Sequence, residues 1–240
     1  MKRNISVALV TVCIVMTSVM PVCGTGLKAP TGVKAKGISQ SEIRITWNSV
    51  GGASGYNVYV YDPSKKGYRF IDTVSGRKYV HRGLRPETRK AYRVSAYADG
   101  VESARSKKTV AETHMTDRKK LIRLARKKVG CRYRWGGSGP DSFDCSGLVF
   151  YCFREAGVGK VRIRRSTALG EYDQLKRYRV GSLKTGDIVF FSSNGKRSGI
   201  NHVGIYAGSG RLIHAANPGD GVCCGKLKYM PKVYAIVRIL

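Results

Sequence analysis

Near residue 114 the hydrophobic pattern changes from a period of two to the longer period of a helix, so no single repeating architecture fits both sides. From Ala29 to about Ala111, short alternating runs are divided by Gly, Pro, Asn and Asp. Ile43, Ile45 and Trp47 form one run, Tyr56, Val58 and Val60 a second, and Tyr92, Val94 and Ala96 a third. Each turns one face toward a core, and turns at this spacing suit an all-β sandwich. Between Thr113 and Val129 the pattern is that of a charged helix, with Leu121, Ile122, Leu124 and Ala125 as an apolar stripe among Arg and Lys. Thr116 can cap its start and Gly130 can end it. The expected division is a first domain over residues 28–113 and a second over residues 114–240.

The chain has 240 residues, 42% of them hydrophobic, long enough for two small domains or one large one and apolar enough to bury a core. Trp47 and Tyr56 could be imagined as a sugar-stacking surface, but at these strand positions they read as core. His81 and His114 have no partner in sequence and are assigned structural or solvent roles. Ahead of the first domain, Lys2 and Arg3 precede an uncharged apolar run from Ile5 to about Val19 and small residues around Gly24. This is the layout of a secretory signal. Residues 1–24 are expected to be an export signal, and the protein to be secreted or associated with the cell wall. The alternative is a retained anchor, the run being slightly short of the ~20 residues a spanning helix needs.

The formal net charge is +29, with 17 Lys/Arg against 7 Asp/Glu over residues 27–114 and 25 against 8 over residues 115–240. Such a surface draws polyanions. For an exported chain these are anionic wall polymers or lipid headgroups. No nucleic acid is expected, since there is no recognition helix with clustered bases, zinc-finger spacing or aromatic RNA-binding signature. The seven cysteines, at 13, 23, 131, 145, 152, 223 and 224, form no CxxC pair and no structural zinc spacing.

The chemistry-bearing segment runs from Tyr133-Arg134-Trp135-Gly136-Gly137 through Pro140 to Phe143-Asp144-Cys145-Ser146-Gly147-Leu148-Val149, and then into an apolar run ending near Gly157. A cysteine therefore sits where a helix begins, with Asp144 as its cap. The free N–H groups and dipole of a first turn stabilise a thiolate, the nucleophilic form. Downstream, Gly186–Phe191 and His202–Ala207 read as strands, with His202–Ala207 joined through Gly208-Ser209-Gly210 to Arg211–Ala216 in a hairpin. His202 and His214 are twelve apart, so a turn with an odd number of loop residues places them on one sheet face, opposite or diagonal. One can take the Cys145 proton and return it to the leaving amine while the other orients it. A zinc site made of the same three side chains has no matching local spacing and no carboxylate helper.

Two families are recognisable in these residues. Ala29-Pro30-Thr31-Gly32-Val33, Ile45-Thr46-Trp47, Gly55-Tyr56, Gly83-Leu84-Arg85-Pro86 and Tyr92-Arg93-Val94-Ser95-Ala96-Tyr97 resemble a fibronectin type III domain, with the immunoglobulin-like sandwich this implies. The segment departs from that family at Lys90, where its corner tyrosine is usual. The runs Tyr133–Gly157, Leu183–Phe191 and His202–Ala215 resemble the NlpC-type cell-wall cysteine peptidases.

That second resemblance implies a papain-like α+β core, with the cysteine helix on an antiparallel sheet, and no cofactor or metal. Carried over by position, it makes Cys145 the nucleophile, His202 the general base and His214 the orienting member. It makes Tyr133 a substrate and oxyanion contact, Asp144 and Ser146 residues lining the site, and Ser166 part of the substrate pocket. The Cys145 N–H would be the second oxyanion donor. The implied substrate is the peptidoglycan stem peptide, cut between D-γ-glutamate and the following diamino acid. Arg132, Arg134, Arg162, Arg164 and Arg165 exceed what the motif asks for; they could favour stem carboxylates or hold the enzyme on the wall. The rival readings are a thiol amidase or acyltransferase using the same triad, and a non-catalytic wall binder.

Overall fold

The structure, a computed structural model, describes residues 26–240. The export signal expected over residues 1–24 lies outside the described residues. No helix among the described residues is long and apolar enough to cross a membrane. The chain divides into two compact units, one holding residues 46–79 and 92–109, the other residues 34–45, 80–91 and 110–240.

The segment before residue 113 is all-β, as its alternating runs predict. Its strands are β1 (Lys34–Gly37), β2 (Ile43–Thr46), β3 (Gly55–Asp62), β4 (Gly67–Val74), β5 (Lys78–His81), β6 (Arg89–Ala98), β7 (Val101–Glu102) and β8 (Thr109–Glu112). One sheet has the order β1-β2-β5; the other has the order β4-β3-β6-β7, with β8 also pairing β6. Alternation decides what is buried: β2 buries Ile43 and Ile45 around exposed Arg44, and β6 buries Tyr92, Val94 and Ala96. Trp47 and Tyr56 are buried in edge-to-face contact, with ring centroids 5.4 Å apart. They are core residues, not a sugar platform. His114 has a structural partner: its Nε2 lies 2.9 Å from the Gly37 carbonyl oxygen.

The second part opens with α1 (Asp117–Lys127), whose cap Thr116 accepts the Lys119 N–H at 3.2 Å. The helix stops at Lys128, short of Gly130. Gly130, at φ +92°, instead turns its N–H to the Val222 carbonyl at 2.8 Å. The short parallel pair β9 (Arg132–Tyr133) and β10 (Ser142–Phe143) leads into α2 (Cys145–Ala156), which ends at left-handed Gly157. After α3 (Ala168–Leu175) come β11 (Arg179–Val180), β12 (Ile188–Ser192), β13 (Ile200–Gly208), β14 (Arg211–Ala215), β15 (Val222–Lys226) and β16 (Val233–Val237).

These last six strands form one antiparallel sheet in the order β11-β16-β12-β13-β14-β15. Ile188, Phe190, Val203, Ile205 and Ile213 share a core with Leu148, Val149, Cys152 and Phe153 of α2 and with Leu121 and Ala125 of α1. Val189, Phe191 and Leu212, at alternate positions, form a smaller cluster. Strand β12 begins at Ile188 rather than Gly186 because Asp187 belongs to a turn. Its buried carboxylate accepts the Lys184 N–H at 2.6 Å and both arms of Arg238 at 2.9 and 2.8 Å.

Candidate active site

Asp144 begins α2 with an extended backbone (φ −91°, ψ 177°), and Cys145 is the first helical residue. The Asp144 carboxylate does more than cap. Oδ1 accepts the Gly147 N–H at 2.6 Å and the Ser146 hydroxyl at 3.1 Å, while Oδ2 accepts the Gly136 N–H at 2.9 Å. The guanidinium of Arg165 pairs with the same Oδ2, donates to Ser146 Oγ at 2.9 Å and reaches the Ser166 carbonyl. Asp144 and Ser146 thus fasten three segments, the Gly136 loop, the start of α2 and the approach to α3, around the cysteine. Gly147 permits the closest of these approaches. A Cβ there would lie 1.9 Å from the Gly137 carbonyl oxygen.

At Cys145 burial outweighs what the start of the helix offers the thiolate. Burial pushes the thiol up to about 11, and the Asp144 carboxylate adds to the rise. The backbone N–H groups of Val203 and Ser146 favour the thiolate but do not outweigh burial. The Val203 contact puts Cys145 beside the residue that follows His202. Burial also pushes His202 down to about 4, with His214 contributing, and lowers His214. At neutral pH the resting pair is therefore a thiol and a neutral imidazole.

The histidines do meet on one sheet face, but not through a turn with an odd number of residues. Ile205 pairs with Ile213, and Gly208 with Arg211, leaving a two-residue turn of Ser209 and Gly210, both at positive φ (52° and 69°). An even turn alone would set the two histidines on opposite faces. The register shifts by one between Tyr206 and Gly208, and this bulge at Ala207 restores a common face. The resulting register places His214 opposite Gly204, so His202 lies diagonal to it. A Cβ on Gly204 would come 3.0 Å from His214 Cβ. His202 Nε2 and His214 Nδ1 are 2.8 Å apart, with the rings nearly perpendicular at 85°. Phe191, paired with His202 from β12, lies against it with centroids 5.9 Å apart.

Tyr133 pairs with Phe143, two residues before Cys145. Burial raises its phenol pKa, and the charges of Cys145 and Asp144 raise it further, so it stays an O–H donor next to the cysteine. Ser166 is half-buried and joins the cluster through its carbonyl, which accepts from Arg165.

Two features escape sequence reasoning. Arg165 spends its guanidinium on Asp144, Ser146 and the Ser166 carbonyl, so it is a clamp rather than a free cation. Glu171 of α3 is fully buried, with neither carboxyl oxygen hydrogen-bonded to a protein group. Burial holds its pKa well above the carboxylate range, and Arg165 offsets this only in part. The only signal in sequence is the position of Glu171 between Ala168 and Leu175 on the buried stripe of α3. Among the described residues, no group of three or more His, Cys, Asp or Glu side chains is placed to hold a metal ion.

Both segments have relatives among known proteins. The fibronectin type III domain matches residues 28–112, and the NlpC/P60 family matches residues 130–239. A "Probable endopeptidase p60" of Listeria innocua is 42% identical over 99 residues, 41% of this chain and 20% of that protein. A "Probable endopeptidase" of Corynebacterium glutamicum strain R is 36% identical over 137 residues, 57% of this chain and 60% of that protein. The "Murein DD-endopeptidase MepH" of Escherichia coli is 37% identical over 123 residues, 48% of this chain and 43% of that protein. The chain thus spans from a fifth to three fifths of the length of these relatives. The chain thus carries a match to the fibronectin type III domain over residues 28–112, followed over residues 130–239 by a match to the NlpC/P60 family, the stretch that holds the cysteine at the head of α2 and the histidine pair.

Proposed function

We propose that the chain is a cysteine endopeptidase that hydrolyses the stem peptides of peptidoglycan, at the bond between D-γ-glutamate and the following diamino acid. The observation that carries the reading is the position of Cys145, held by the Val203 N–H beside a hydrogen-bonded His202–His214 pair. The domain match and the relatives' names support the substrate class.

In the proposed cycle His202 takes the Cys145 proton as the sulfur attacks the amide carbonyl carbon. Nε2 of His202 is engaged by His214, so Nδ1 is the nitrogen left for this task. The oxyanion forms against the Cys145 N–H and the Tyr133 hydroxyl. On collapse the C–N bond breaks, His202 gives its proton to the leaving amine, and a thioester remains. Water deprotonated by His202 then attacks the thioester, releasing the carboxylic acid and the thiol. Starting from a neutral pair suits an enzyme whose thiol is activated only as substrate arrives. Asp144 and Ser146 line the site while locked to Arg165, and Ser166 borders the substrate pocket. An exported location, with the basic surface holding the protein on anionic wall polymers, completes the reading.

The test is mass spectrometry of defined muropeptides after incubation with the purified protein and its Cys145→Ala variant. Cleavage after γ-linked D-glutamate by the first alone is expected. A cut at a D,D cross-link, the activity in the name of the Escherichia coli relative, would keep the mechanism and move the bond. No cut under reducing conditions would sink the peptidase reading.

A further inference from the structure

The histidine pair has a third neighbour. His214 pairs with Cys223 across β14 and β15, and the Cys223 sulfur lies 3.4 Å from His214 Nε2. The other nitrogen of the same ring, Nδ1, faces His202 Nε2 at 2.8 Å. Cys223 is half-buried and forms no disulfide. Its neighbour Cys224 is engaged by Arg211, which donates to its sulfur at 3.4 Å and to its carbonyl at 2.9 Å. Gly225 leaves room for this arrangement, since a Cβ there would approach His214 Nε2 to 3.3 Å.

Two neutral imidazoles in contact share one proton, and its position decides whether His202 can work. For His202 to accept a proton on Nδ1 it must carry its own on Nε2 and donate it to His214 Nδ1. That obliges His214 to carry its proton on Nε2, the nitrogen facing Cys223. In the opposite arrangement, His214 donates from Nδ1, and His202 is left protonated on the nitrogen it needs as a base. A group that accepts the His214 Nε2–H therefore favours the competent pair, and one that donates its own hydrogen to Nε2 favours the incompetent one.

We propose that Cys223 is a positioning residue of this site, its sulfur accepting the His214 Nε2–H and so holding the His202–His214 pair in the tautomer in which His202 is a base. The inference rests on the Cys-His-His reading above. It concerns a residue outside that triad and places no requirement on which bond is cut.

A neutral N–H···S contact contributes on the order of 1 kcal/mol, so its loss should lower kcat about five- to tenfold. The experiment compares Cys223→Val, which keeps an apolar side chain of similar size, with Cys223→Ser, which keeps an acceptor, in muropeptide turnover by the full chain. Cys223→Val is expected to lose kcat about five- to tenfold at unchanged KM, and Cys223→Ser to stay within about threefold of wild type. Nitrogen-15 spectra of histidine-labelled wild-type protein should show His214 protonated on Nε2, and they decide the matter even if a variant fails to fold. Protonation of His214 on Nδ1, full kcat in Cys223→Val, or equal losses in both variants would overturn the proposal. Cys145→Ala and His202→Ala separate the two layers. If either stays active, the triad reading fails; if both are dead while Cys223→Val is fully active, only this inference fails.

Discussion

Replacing Gly147 with Ala tests how tightly the nucleophile is built into its surroundings. The added Cβ would lie 1.9 Å from the Gly137 carbonyl oxygen and 3.0 Å from Asp144 Oδ1. Ordinary contact begins near 3.4 Å, so the Gly137 backbone or the first turn of α2 must retreat by about 1.5 Å. The obstacle is a backbone carbonyl held by the Asp144 N–H at 2.9 Å, so no side-chain rotation relieves it. An Ala inside a helix ordinarily gains up to about 1 kcal/mol over Gly. Overpacking against backbone costs roughly 1–3 kcal/mol and should win. The larger effect is on rate, because the retreating loop follows directly on Tyr133 and carries the Gly136 N–H that binds Asp144. A displacement of about 1 Å at reacting groups can cost ~100-fold. Muropeptide turnover followed by chromatography, beside urea unfolding of the same variant, should show a rate loss of about two orders of magnitude in a protein that still folds. A variant within threefold of wild-type rate and equal in stability would show that α2 and the Gly137 loop are not in obligatory contact, and the description of the site would be wrong.

The pH dependence of kcat/KM should show a broad plateau, with an acid limb near the His202 pKa of about 4 and an alkaline limb near the Cys145 pKa of about 11. His214→Asn removes the lesser cause of the His202 depression, so the acid limb should move up while staying below 6.5, because burial is the larger cause; an unmoved limb would count against the coupling. Glu171 has a raised pKa, so the folded state keeps a proton that the unfolded chain releases above its ordinary value of 4.5. Its contribution therefore falls as pH rises from there, by about 1.4 kcal/mol per pH unit while the difference of one proton lasts. Glu171→Gln should be more stable than wild type near pH 7 and flatter in unfolding free energy between about pH 5 and 7; an unchanged slope would mean Glu171 is not neutral in the fold. Asp187→Asn removes the buried carboxylate that Arg238 and Arg118 both face and should cost about 2 kcal/mol in urea unfolding; a loss below about 0.5 kcal/mol would show that these contacts contribute little.

Much of this molecule follows from interactions within a few residues, and those parts were legible in the sequence. The alternation of Ile43, Ile45 and Trp47 or of Tyr92, Val94 and Ala96 marks strands because side chains along a strand point to alternate faces. Thr116 and Asp144 mark helix starts because a cap binds an N–H three residues on. The position of Cys145 at the head of α2 therefore follows from its neighbours in sequence, whatever packs around it. The fibronectin-like and NlpC-like motifs are likewise local runs.

What required the tertiary structure is what depends on register and burial. The spacing of twelve between His202 and His214 allowed one face or two, and only the bulge at Ala207 settled which. Arg165 reaches across 21 residues to Asp144, and Cys223 arrives beside His214 from the next strand; neither pairing is written in either residue's neighbourhood. The ionisation of the site also reversed in direction, because the N–H groups that favour a Cys145 thiolate are visible in a helix start, whereas the desolvation that opposes them exists only after the chain has closed over the sulfur.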